Sequence, residues 1–310
     1  MAECVIHWFR RDLRLEDNSA LGHALRSGDP VLPVFILDEA ILGHDIQPSR
    51  LVVLRTALED LDRRIAERGS RLLVRRGDAA RELNRVAEEA NAWGVYLNRD
   101  HTPYARQRDA RATRGLQMTG VVTQTFDDLM LVSPQVMLDP DGLPPIEFGD
   151  FSRLWLEQLD LEPEPPAAAE GAFVVDDAPE SIDVWADSLA PRSADAAGLP
   201  GATPASARRD LEDLLGRLPL YRDRLEGVED GAAVFSALAL GTISVREVAR
   251  AVLAKASADE PSRPGAEAFI LDLCHREHAY HLLHAYPEVL RAPGPDGQYV
   301  RHWLLSNRLT

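Results

Sequence analysis

Trp8-Phe9-Arg10-Arg11-Asp12-Leu13-Arg14-Leu15-Glu16-Asp17-Asn18 joins the end of an apolar run to the start of a helix through charge-bearing turn residues. The preceding Cys4 to Phe9 is short and mostly apolar, which predicts a strand buried on both faces of a parallel sheet. Asp17, Asn18 or Ser19 can cap the helix that follows, through Leu25. Arg10, Arg11 and Arg14 then stand at the carboxyl end of a first strand, where open α/β sheets place their ligand crevice. A surface turn held by arginine–aspartate ion pairs accounts for the same residues equally well.

Working outward, strand-like runs recur at Val31 to Leu37, Arg71 to Val74, Gly94 to Asn98 and Val121 to Phe126. Helical patterns lie between them. In Ser49 to Arg68, Leu51, Leu54, Leu58, Leu61 and Ile65 recur at three- and four-residue spacing, and Gly69 follows as a stop. Similar patterns cover Ala79 to Asn91 and Tyr104 to Met118. The alternation predicts an α/β fold over residues 1–160, a doubly wound, five-stranded parallel sheet of Rossmann-like type with right-handed crossovers. Residues 161–200 are rich in Pro, Ala, Asp and Glu and read as an inter-domain linker. Beyond them Leu211, Leu214 and Leu215, then Val234 to Leu240, Val245 to Lys255 and Glu267 to Tyr286, predict an all-helical domain over 201–310.

With 310 residues and 45% hydrophobic content, the chain can bury two cores. Cys4 and Cys274 are too few and too separated for a disulfide framework or a thiolate metal site. No apolar run is long enough for a bilayer, and MAECVIHWF lacks a basic leader, so the expected location is the cytoplasm. A net charge of −16 argues against a protein that wraps nucleic acid over most of its surface. Arg99, Arg106, Arg108, Arg111 and Arg114 form a local basic segment, readable as a phosphate-binding face or as a solvated helix. His275, His278, His281 and His284 recur every three residues. Each such step falls short of a helical turn, so the first and last point to nearly opposite faces and no metal site is expected.

The string WFRRDLRLEDN resembles the opening of the DNA photolyase and cryptochrome family. Asp272-Leu273-Cys274-His275-Arg276-Glu277 looks like an altered copy of that family's Glu-Leu-x-Trp-Arg-Glu motif, in the expected order and at about the expected separation. The resemblance implies an α/β antenna domain carrying a folate or deazaflavin pigment, and a helical domain holding folded FAD beside a pocket for UV-damaged DNA. It implies light-driven splitting of cyclobutane pyrimidine dimers by photoinduced electron transfer, with the target flipped from the duplex. By the same resemblance, Tyr221, Ser236 and Phe269 would face FAD. Arg224, Asp272, His275, Arg276 and Glu277 would face DNA, and Arg10, Arg11, Asn98 and Tyr104 would line the antenna crevice. Ser236 is the hydroxyl retained in Ala232-Ala233-Val234-Phe235-Ser236, where the family has Thr-Ser-x-Leu-Ser. His275 stands where the family has a lesion-stacking Trp, and imidazole offers the smaller face, so weaker stacking is expected.

The family's second FAD segment, with its Gly-x-Thr-Gly turn, Asp-Ala-x-Met-Arg helix and Asn-Arg pair, has no counterpart in these residues. Asp296-Gly297-Gln298-Tyr299-Val300-Arg301-His302-Trp303 echoes a late family string, which fits an internal deletion as well as an early stop. The helical domain is therefore expected to be incomplete, with a partner chain as one way to complete it. The alternative is a non-enzymatic, cryptochrome-like or degenerate remnant that binds a pigment or nucleotide and serves as an interaction module. A nucleotide-binding domain working in adenylate chemistry is the more distant reading, since no G-x-G-x-x-G loop follows the first strand.

Overall fold

The computed structural model describes residues 3–42, 48–139, 142–161, 171–174, 199–221, 231–291, 297–300 and 302. Strand β1 (Cys4–Phe9) lies at the centre of a parallel sheet, between β2 (Val31–Asp38) and β4 (Ala92–Asn98), with β3 (Leu73–Gly77) and β5 (Val122–Phe126) at the edges. The order β3-β2-β1-β4-β5 reverses direction between β1 and β4, which makes the carboxyl ends of these strands the crevice of the sheet. Every residue of β1 and β2 is buried, as their near-continuous apolar sequence requires. Val5 and Phe9 of β1 pack toward α1 (Ser19–Leu25) and α2 (Pro48–Ala66). Cys4, Ile6 and Trp8 pack toward α3 (Ala79–Glu89) and α4 (Pro103–Met118). Each large apolar side chain so buried contributes about 1.5–3 kcal/mol.

Among the three candidate caps of α1, Asn18 does the work, accepting from the Leu21 amide at 3.1 Å. Asp78 and Thr102 cap α3 and α4 in the same way. Strand β3 begins two residues later than the sequence suggests. Asp62 accepts from the Arg71 guanidinium and the Leu72 amide, at 2.8 Å each, and holds that segment in a turn.

The second half contains α5 (Phe148–Gln158), α6 (Pro204–Arg217), α7 (Ala232–Leu240), α8 (Val245–Ala258) and α9 (Arg263–Ala285). Helix α5 is absent from the sequence reading, yet Phe148, Phe151 and Trp155 form a stripe on it, and the last two are fully buried. They join Leu214, Phe235, Val248, Phe269 and Leu273 in one core. The helical core thus reaches back across residue 160. Conversely, Phe173 is buried in the α/β core and bridges Val31, with the Val31 amide donating to Ala172 O and the Val174 amide to Val31 O, both at 2.9 Å. Residues 171–174 are therefore part of the first domain and not of a spacer; most of the rest of 161–200 lies outside the described residues.

Charged groups join the halves. Arg246 of α8 donates to Asp17 and Asp128 at 2.7 and 2.6 Å, Arg14 also pairs with Asp128, and the Leu13 amide donates to Leu240 O at 3.3 Å. Burial opposes ionisation of Asp128, but Arg14 and Arg246 overcome it and lower its pKa. At the end of α7, Gly241 has φ +71, and a Cβ there would stand 2.0 Å from Arg11 O. Only glycine lets the turn seat so closely on the helix end. Among the described residues no helix is long and apolar enough to cross a membrane.

Candidate functional site

Asp12 organises the turn after β1. Its Oδ1 accepts from the Arg10 amide at 2.7 Å and its Oδ2 from Asn98 Nδ2 at 2.6 Å. Burial alone would raise its pKa, but His7, the Arg10 amide and the Arg10 charge overcome burial and hold it well below the usual carboxylate range. Asn98 also donates to Asn18 Oδ1 at 2.8 Å and accepts from the Ala20 amide at 3.0 Å, tying the end of β4 to the start of α1.

With the backbone fixed, neighbouring arginines part company. The Arg10 guanidinium lies 4.8 Å from the Trp8 ring centroid, pairs with Asp109 at 2.5 Å and donates to Asn98 O. Arg108 of α4 stands 4.9 Å from the same ring. Arg11 turns to the helical half, donating to Ala239 O at 3.1 Å and to the Tyr280 hydroxyl at 2.7 Å. Between them opens a cleft of about 640 Å³, counted to its mouth, at the carboxyl ends of β1 and β2. Phe35, Leu37 and Leu54 give it an apolar lining, and Arg10, Asp38 and Arg108 give it polar points. A mostly apolar cleft with aromatic residues and a few fixed polar groups is the profile of a small-molecule site.

Of the four expected crevice residues, Arg10 and Arg11 line this cleft. Tyr104 is tied to it through its hydroxyl, which donates to Asp38 at 2.5 Å; burial, then Asp38, pushes the phenol above its ordinary range. Asn98 faces the turn and a second cavity instead.

In the helical half, Tyr221 and Phe269 do meet, with ring centroids 5.5 Å apart, and Phe235 lies 5.5 Å beyond Phe269. The Tyr221 hydroxyl is spent on Asp272 at 2.6 Å, and Ser236 donates to Ala232 O at 3.0 Å. Tyr221 and Phe269 are thus engaged with one another and with Asp272, while the Ser236 hydroxyl is engaged within its own helix.

The expected DNA face needs correction in the same terms. Asp272 and Glu277 are 0% exposed and Arg276 is 3% exposed, so all three face protein. Glu277 accepts from the Leu131 and Val132 amides, at 2.5 and 3.1 Å, and from the Trp155 indole at 2.7 Å. It clamps the 131–132 segment and α5 onto α9, and burial pushes its carboxyl to about 7. His275 is covered by Phe148, whose ring lies parallel at 3.5 Å, so its stacking face is already taken. Arg224 lies outside the described residues.

The histidine row precesses around α9, and each member meets a different neighbour. His278 Nε2 lies 3.3 Å from Pro145 O, which can only accept, so Nε2 carries the proton and Nδ1 accepts from the Tyr299 hydroxyl at 3.0 Å. His275 Nδ1 then donates to the same oxygen at 2.9 Å. His281 reaches Val132 O at 3.3 Å and His284 faces His101 across the domain joint at 3.5 Å. Burial lowers His101, His275 and His278 to about 4 and His281 to about 3, so these rings are neutral at neutral pH. Among the described residues no group of three His, Cys, Asp or Glu is arranged to hold a metal ion.

The sequence pattern of DNA photolyases matches residues 5–170, which is more than half of the chain and takes in all of the sheet but Cys4. The chain belongs to the DNA photolyase family. The deoxyribodipyrimidine photo-lyase of Synechococcus sp. is 31% identical over 320 residues, covering 98% of this chain and 64% of that one. A class III photolyase from Agrobacterium tumefaciens superposes with a TM-score of 0.75 at 26% identity, covering 93% of this chain and 60% of the other. An archaeal photolyase from Sulfolobus tokodaii, solved with two FAD molecules and discussed for a novel light-harvesting cofactor, gives 0.70 at 25% identity over 92% and 60%. This photolyase-family chain therefore spans between 60% and 64% of the length of these relatives.

Proposed function

We propose that this chain serves light-driven, FAD-dependent repair of cyclobutane pyrimidine dimers in UV-damaged DNA, and that its own part is to hold a light-harvesting pigment in the α/β cleft. The observation that carries this reading is the cleft itself, open at the sheet crevice and bounded by Trp8, Arg10, Arg108 and Asp38. A folate, a deazaflavin or a second flavin offers the flat ring and polar edge that this lining suits. FAD in the helical half would meet Tyr221, Ser236 and Phe269, and a partner chain is the agent that would complete the helical domain around it. UV-damaged DNA would meet Asp272, His275 and Arg276 only where the packing that buries these residues opens.

The burial of Asp272, Arg276 and Glu277 favours a second reading, in which the chain binds a pigment without performing repair. One experiment separates the two. The purified chain is incubated with FAD, a methenylated folate or a deazaflavin, desalted, and examined by near-ultraviolet and blue absorbance, with photorepair of a dimer-containing oligonucleotide measured alongside. Stoichiometric FAD with repair supports the enzyme. Retained pigment that Trp8→Ala and Arg108→Met release, without repair, supports the second reading. A chain that retains no chromophore overturns the assignment of the cleft.

A further inference from the structure

A second cavity, of about 410 Å³ counted out to its open mouth, lies at the junction of the two halves and shares Arg10, Arg11 and Asp100 with the cleft. Its other charged walls are mostly committed. Arg14 is paired with Asp128, Arg99 with Asp127, and Asp12 is engaged by the turn. Arg276 is the exception. Its buried guanidinium donates to one acceptor, Leu129 O at 3.0 Å, and stands 5.1 Å from the Tyr280 ring centroid. Among the described residues no carboxylate lies within 4.0 Å of it. Glu277, its chain neighbour, directs its carboxyl group to the Leu131 and Val132 amides and the Trp155 indole.

The Arg11 guanidinium lies 5.6 Å from the same Tyr280 ring centroid, and Asp100 approaches it only to 3.8 Å. Arg11 and Arg276 thus border one cavity that opens to solvent, where Asp100 is held only loosely by Arg11. Burial, opposed by Tyr280 and Glu277 and reinforced by Arg11, lowers the Arg276 pKa, but an arginine side chain does not discharge in a protein. A buried charge that cannot be discharged has to be paired. The Arg276 fork keeps unused N–H donors for that purpose.

We propose that the junction cavity binds a single phosphate group held between Arg276 and Arg11. Guanidiniums on different walls need an acceptor whose oxygens diverge, which tetrahedral phosphate supplies and a flat carboxylate does not. The group can be inorganic phosphate or the phosphate of a nucleotide, and the two are distinguished by comparing them directly.

The test uses the full chain in a phosphate-free buffer at constant ionic strength. Thermal unfolding is followed as inorganic phosphate or adenosine monophosphate replaces chloride, and ³¹P line widths are recorded at 25 °C. At tenfold excess over Kd the wild-type midpoint should rise by about 3 °C more than that of Arg276→Met. The general stabilisation by phosphate, which acts through exclusion from protein surface, is common to both proteins and cancels. In phosphate-free buffer Arg276→Met should be at least as stable as wild type, since it removes an unpaired buried charge. Broadening by inorganic phosphate and the nucleotide alike identifies free phosphate as the ligand; broadening at tenfold lower nucleotide concentration identifies the nucleotide. Equal shifts in wild type and variant, or a wild-type ³¹P line that neither anion broadens, overturn the proposal. Neither readout depends on light or pigment, so the proposal stands or falls independently of the cleft.

Discussion

Acid should loosen this protein well above the pH at which ordinary carboxylates protonate, and the cause should be the buried histidines. His101, His275 and His278 are held at about 4 and His281 at about 3, whereas each would titrate near 6.5 in the unfolded chain. A base with a depressed folded pKa contributes stability that is complete above 6.5 and is lost as pH falls toward the folded value. Between pH 7 and pH 5 each ring loses about 2 kcal/mol by this linkage. Glu277 acts in the opposite direction. Its carboxyl, raised to about 7, favours the folded state increasingly as pH falls toward 4.5, which returns about 2 kcal/mol over the same interval. The net loss is about 5 kcal/mol, a large share of the 5–15 kcal/mol that holds a typical domain. Urea denaturation at steps from pH 7.5 to 5, with the midpoint and slope read at each step, measures it. His281→Leu isolates one ring. It loses the bond to Val132 O, costing about 1 kcal/mol at pH 7.5, and its stability should fall less steeply with acid, by about one proton of uptake. Wild-type stability that is flat or rising from pH 7 to 5 would refute the assignment of neutral, buried rings.

Gly241→Ala should cost more than about 3 kcal/mol, because φ +71 and a Cβ only 2.0 Å from Arg11 O both oppose it; unchanged denaturation would show that the turn does not seat on the end of α7. Arg246→Met removes the cation beside Asp17 and leaves Asp128 to Arg14, and should cost about 1–3 kcal/mol, part of which Asp17→Asn should restore in the double variant; a stability loss below about 0.5 kcal/mol would show that the network is incidental. His275→Trp should destabilise by about 1–3 kcal/mol through overpacking against Phe148 and should not strengthen binding to UV-damaged DNA; a gain in that affinity would mean that the pocket opens in solution.

How much of this was legible in the sequence depends on how local the cause is. Strands β1 and β2 are readable because burial on both faces demands unbroken apolar runs, and Asn18, Asp78 and Thr102 are readable because a cap acts within three residues. Helix α5 escaped because the core positions Phe148, Phe151 and Trp155 are separated by charged and polar residues and sit beside a composition shift that suggests a linker. Phe173 escaped for the same reason, as part of the short apolar run Ala172 to Val175 inside an acidic stretch. The task of Glu277 depends on amides 145 and 146 positions away and an indole 122 away, and no local pattern reports them. Helical geometry correctly set the four histidines on diverging faces, but only the fold supplies Phe148, Pro145, Val132 and His101 as their separate neighbours.

The opening turn shows why residue type alone could not assign the site. Arg10, Arg11 and Arg14 lie within five residues and carry the same group, yet Arg10 serves the cleft through Trp8 and Asp109, Arg11 crosses to Ala239 and Tyr280, and Arg14 is spent on Asp128 and Gly241 O. The division follows from Asp12, which takes the Arg10 amide and Asn98 and so fixes the direction in which each successive side chain leaves the backbone. Because Arg10 and Arg11 border both the cleft and the junction cavity, a charge placed in either space acts on the same two guanidiniums. The cleft and the seam between the domains are therefore one electrostatic unit, built on a turn whose backbone is held by side chains of the first domain and by the end of α7.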